Sequence, residues 1–78
     1  MKVIDARGHR CPTPTLKLGR ALRKAAPGDR LDLLADDPMA RIDVPHFVAQ
    51  SGHRLESVTE DGPTLRFRIT RSDAAPTG

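Results

Sequence analysis

The stretch RGHRCPTPTLKLGRAL holds the one cysteine of the chain, Cys11, followed by Pro12, Thr13 and Pro14, with Arg7, His9, Arg10 and Lys17 close by in sequence. A lone thiol among basic residues can act as a nucleophile, because the thiolate is the reactive form and nearby positive charge favours it. A residue that precedes proline is driven out of the α region into extended geometry, which is also the geometry of a helix N-cap. Cys11 therefore suits the N-cap of a helix, with Pro12 at the first helical position and Pro14 at the third. Two of the unpaired amides that open every helix are removed in this way, and Thr13 N–H is the nearest remaining donor. In that register the sulfur meets the positive end of the helix dipole beside Arg10, and its pKa is expected to fall from about 8.5 toward neutrality. The competing reading is a buried, inert cysteine, the commoner state of a free thiol. Polar neighbours and two stiffening prolines weigh against it, since a packing residue has no use for a fixed direction.

The flanking elements must place that thiol. KVIDA reads as a strand with β-branched Val3 and Ile4, and RGHR as the loop that delivers the chain to Cys11. From Pro12 the apolar spacing becomes helical: Leu18, Ala21, Leu22 and Ala25 recur on one face, and Lys17, Arg20, Arg23 and Lys24 on the other. PGD at 27–29 stops this helix, and RLDLLA follows as a buried second strand. DDPMARIDVPHFVAQSG is helical in pattern but carries Pro45, which costs about 3 kcal/mol inside a helix. The expectation is a split: Asp37 caps a short turn from Pro38, and Asp43 caps a longer piece with Pro45 in its first turn. HRLESVTE and TLRFRITR then read as strands joined at DGP, the second alternating Leu65, Phe67 and Ile69 inward. The order β-α-β-α-β-β predicts an α+β, two-layer α/β sandwich, with two helices on one face of a mixed four-stranded sheet. One domain over 1–70 and a flexible tail over 71–78 are expected.

Other candidates are weaker. His9, His46 and His53 are too dispersed for a local metal motif, so no metal and no cofactor are expected. Whether His9 or His46 approaches Cys11 is not legible in the sequence. His53 reads as a surface or edge residue, and Asp36, Asp37 and Asp43 each suffice as cap or turn residues.

With 78 residues and a net charge of +3, the chain has room for one core and no block of like charge. A nucleic-acid binder would show a basic stripe with aromatics for stacking; only Phe47 and Phe67 are aromatic, so no direct nucleic-acid partner is expected. No stretch approaches the roughly 20 apolar residues of a membrane span. A single cysteine, with no apolar leader in MKVIDARGHR, makes the cytoplasm the expected compartment.

DARGHRCPTPTLKLGRAL resembles the signature of the TusA/SirA/YedF sulfur-carrier family, with its Cys-Pro-x-Pro motif at the start of the first helix. The resemblance continues through LLADDPMARIDVPHFVAQSGH and covers roughly residues 3 to 70. It implies a sulfurtransferase-type relay in which Cys11 accepts sulfane sulfur as a persulfide and passes it on. The implied partners are a cysteine desulfurase or rhodanese-type donor and a downstream acceptor protein, serving tRNA thiolation, molybdenum cofactor synthesis or sulfur oxidation. Pro12, Thr13 and Pro14 would shape the site, and Arg7, His9, Arg10 and Lys17 are the candidates for contacts to the persulfide or partner. The alternatives are a thiol-based redox sensor and a regulatory binding module without sulfur transfer.

Overall fold

In a computed structural model, which describes residues 2–10 and 13–72, the elements run β1 (Lys2–Asp5), α1 (Thr13–Lys24), β2 (Arg30–Ala35), α2 (Ala40–Gln50), β3 (Arg54–Asp61) and β4 (Thr64–Thr70). They form the expected sandwich, two helices against a mixed four-stranded sheet of order β1-β2-β4-β3. β1 and β2 are parallel, so the chain must cross between them through α1; β4 runs antiparallel between β2 and β3.

Alternation decides which side of the sheet is covered. Leu31, Leu33 and Ala35 of β2 pair with Ile69, Phe67 and Leu65 of β4, and all six are buried beneath the helices. From α1 come Leu18, Ala21 and Leu22, and from α2 Ala40, Val44 and Val48. Gly19 sits where the helices meet: a Cβ there would lie 3.1 Å from the Phe47 ring, so only glycine allows this approach without displacing the phenyl group.

On the opposite face, Asp32 is 1% exposed although no helix among the described residues covers it. Arg68 donates to its carboxylate from Nε at 3.0 Å and from Nη2 at 3.2 Å, and Arg66 Nε lies 3.5 Å away. The hydrogen bonds from Arg68 hold the Asp32 carboxyl below its usual range, with the charges of Arg68 and Arg66 adding to the effect against the opposing cost of burial. The pattern behind this cluster is an acid inside a leucine strand and the RFR triplet that faces it across the sheet.

One expectation changes. α2 is continuous from Ala40 to Gln50 with Pro45 inside it; Met39 is its N-cap, and Asp43 lies in its first turn instead of capping it. Burying Val44 and Val48 on one face outweighs the single main-chain hydrogen bond that Pro45 removes, as tertiary packing commonly does for short helices. Asp37 does open the turn before it: its Oδ1 accepts Met39 N–H at 3.1 Å and its carbonyl accepts Ala40 N–H at 2.9 Å. His53 stands just before β3, the outer strand of the sheet, in keeping with a surface or edge residue; it is half-buried, with Nδ1 accepting the Ser72 N–H at 3.2 Å, and burial followed by the Arg71 charge lowers its pKa. Arg71, the first residue of the expected tail, donates N–H to the Asp29 carbonyl and Nε to the Leu22 carbonyl, which closes the C-terminal end of α1. The rest of that tail, 73–78, lies outside the described residues.

Candidate functional site

Parallel strands bring like ends together. The C-terminal ends of β1 and β2 lie side by side, and both helices begin just beyond them, so the loop leading to Cys11 and the Asp36-Asp37-Pro38 segment are neighbours. Ligand sites of open α/β sheets collect at such ends.

The loop is tied by its own backbone. Ala6 N–H continues the sheet pairing to the Leu34 carbonyl at 2.8 Å, and His9 N–H returns to the Ala6 carbonyl at 3.2 Å. Gly8 has φ +82, a left-handed conformation that glycine adopts without a Cβ penalty. Its N–H points at the Asp36 carboxylate, 2.9 Å from Oδ1 and 3.1 Å from Oδ2. Beyond the cysteine, Thr13 N–H donates to the Arg10 carbonyl at 2.9 Å. The segments on both sides of Cys11 are thus held in place, and Asp36 supplies a tether from 28 positions away in sequence. Sequence reading treated Asp36 as a plain turn residue; only the pairing of β1 with β2 shows what it holds.

Cys11 and Pro12 lie outside the described residues, and with them the N-cap and first-position assignments. Thr13 is the first residue of α1 and half-buried, and Pro14 is fully buried. Pro14 therefore packs the core as well as stiffening the first turn. Arg7 is exposed and engaged with Asp5: Nε reaches Oδ1 at 2.9 Å and Nη2 reaches Oδ2 at 2.8 Å. That fork holds the Asp5 carboxyl well below the ordinary carboxylate range. His9, Arg10 and Lys17 are exposed, with Lys17 Nζ 3.5 Å from His9 Nε2. No acidic residue stands in the first turn of α1, so its dipole is not offset by a side-chain charge there. Among the described residues no cluster of His, Cys, Asp or Glu could hold a metal ion, and no helix is long and apolar enough to cross a membrane.

The family described as Sulfurtransferase TusA matches residues 2–71. The chain belongs to the TusA family. Among TusA relatives, the Sulfur carrier protein TusA of Pseudomonas aeruginosa is 36% identical over 69 residues, spanning 88% of this chain and 87% of its own length. The Pseudomonas paraeruginosa protein of the same name matches to the same extent. A SirA-like protein from Desulfitobacterium hafniense shares the fold with a TM-score of 0.81, covering 94% of this chain and 100% of the other at 24% identity.

Proposed function

We propose that this TusA-family protein is a sulfur carrier that takes up sulfane sulfur as a persulfide on Cys11 and relays it to a second protein. The observation that carries the reading is the family match across residues 2–71, which spans the one sulfur nucleophile the chain possesses. In the uptake step the Cys11 thiolate attacks the outer sulfur of a donor persulfide; a new S–S bond forms, the donor S–S bond breaks, and the donor thiolate leaves with its electron pair. In the delivery step an acceptor thiolate attacks the outer sulfur on Cys11, and Cys11 leaves as the thiolate. No external oxidant or reductant enters, because each step exchanges one thiolate for another.

A chain with one cysteine cannot resolve its own persulfide as an internal disulfide, so the second thiol belongs to a partner. A cysteine desulfurase or a rhodanese-type protein is the donor in this reading. The acceptor belongs to tRNA thiolation, molybdenum cofactor synthesis or sulfur oxidation. In this reading Pro12, Thr13 and Pro14 shape the site and Arg10, Lys17 and His9 are the candidates for contacts to the anionic product, whereas the charge of Arg7 is largely taken up by Asp5.

The test is uptake of one sulfur atom by intact mass spectrometry after incubation with a desulfurase and cysteine, or with a rhodanese and thiosulfate. Wild-type protein gains one sulfur and Cys11→Ser gains none. Absence of the adduct with both donors, or its persistence in Cys11→Ser, ends this reading.

A further inference from the structure

We infer that the groove between the outer edge of β1 and α1 docks an extended, acidic segment of a partner protein, which adds to the sheet as a strand beside β1. The groove, about 520 Å³, is walled on one side by Lys2, Val3, Ile4 and Asp5 in unbroken succession. Side chains of consecutive strand residues point to opposite faces, so four in a row can line one groove only where it runs along the strand's edge. That edge offers main-chain groups. Ala6 N–H binds the Leu34 carbonyl, so by alternation the amides of Lys2 and Ile4 turn to β2 and those of Val3 and Asp5 turn outward. Among the described residues no strand pairs with this edge. Edges of this kind are where extended peptides add to sheets.

The other wall is a stripe of α1 that includes Leu16, Lys17, Arg20 and Lys24. With Lys2, it brings four cations to the groove, and none has a carboxylate partner among the described residues. Among the described residues the one acid of the groove, Asp5, is already forked by Arg7. Leu16 and Val3 add apolar surface, 66% and 51% exposed. An occupant therefore needs an extended backbone, acidic side chains toward α1 and some apolar ones. A second copy of this chain fits poorly, since pairing two β1 edges would bring two sets of cations together. Nucleic acid would meet the charge, but no aromatic side chain lines the groove for stacking.

The inference rests on the carrier reading only for who brings the segment; binding is read without any sulfur donor, so the two fail separately. The probe is a dye-labelled peptide of about eight residues alternating Glu and Val, titrated by fluorescence anisotropy, with an oligouridine of equal charge alongside. Saturable peptide binding that weakens with salt is expected, about tenfold weaker in an Arg20→Glu/Lys24→Glu variant that circular dichroism shows to be folded. Val3→Pro removes an outward amide that the added strand needs, at an edge position where proline is tolerated, and should lose binding while the fold persists. In wild type, hydrogen exchange of the Val3 and Asp5 amides should slow on adding peptide. Absence of saturable binding, equal binding by the charge-reversed variant, unchanged exchange at Val3 and Asp5, or tighter binding of the oligouridine would each overturn it.

Discussion

α1 and α2 lie on the same face of the same sheet, but they are built for different surroundings. α1 buries Pro14, Leu18, Ala21 and Leu22 and turns Lys17, Arg20, Arg23 and Lys24 outward with no acid among its twelve residues. α2 is less divided: its charged residues are Arg41 and Asp43, and Arg41 is paired with Glu60 of β3. Arg41 of α2 thus has an ion-pair partner within the fold, whereas Lys17, Arg20, Arg23 and Lys24 of α1 have no carboxylate partner among the described residues. The two prolines follow the same division. Pro14 stands in the first turn of α1, where its missing N–H has no main-chain partner to lose; Pro45 stands in the second turn of α2 and interrupts the ladder.

The contrast breaks most readily in the buried stripes. Leu18→Ala should lower the unfolding free energy by about 2–5 kcal/mol and Val48→Ala by about 1.5–3 kcal/mol, measured by urea denaturation. The exposed Leu16→Ala should stay within about 0.5 kcal/mol. A comparable loss at Leu16 would mean that the outer face of α1 belongs to the core after all.

Smaller effects of opposite sign are expected at the prolines. Pro45→Ala restores an amide for the Arg41 carbonyl and should stabilise the protein by about 1 kcal/mol, because the helix gain exceeds the loss of unfolded-state restriction. Pro14→Ala removes buried ring atoms and should destabilise by about 1 kcal/mol. Matching signs in thermal or urea unfolding would erase the distinction between the helices.

The smallest effect is the pH dependence of the far end of the molecule. Since the folded His53 has a pKa below 6.5, the unfolded chain binds more protons in mild acid. Its stabilising contribution is complete above pH 6.5 and is lost as pH falls toward the folded value. Urea midpoints should therefore fall modestly from pH 7 to pH 5.5, and His53→Gln should flatten that slope. The depressed Asp32 carboxyl acts lower: its contribution is present above about 3.8 and disappears as pH drops through the folded value.

Much of this was readable residue by residue. The 30–35 strand, the inward alternation of Leu65, Phe67 and Ile69 and the helical stripe around Leu18 follow from periodicity, which reports how one element divides between core and solvent. Pro45 misled because propensity is a local term and the burial of Val44 and Val48 is not. The hydrogen bonds that His53 makes with Ser72 and Arg71 with the Leu22 carbonyl were not legible, because those partners lie across the fold.

By itself the sequence determined the order of elements, the two-layer sandwich and the placing of the chain's one thiol in a proline-bounded, basic stretch, since each depends on spacing within a single segment. Tertiary structure alone decided that Asp36 holds Gly8, that Asp32 is buried between Arg66 and Arg68, and that β1 has an edge with no strand paired to it among the described residues, beside the cations of α1. Those pairings join segments far apart in the chain, and they exist only once sheet order and register have brought them within hydrogen-bonding distance.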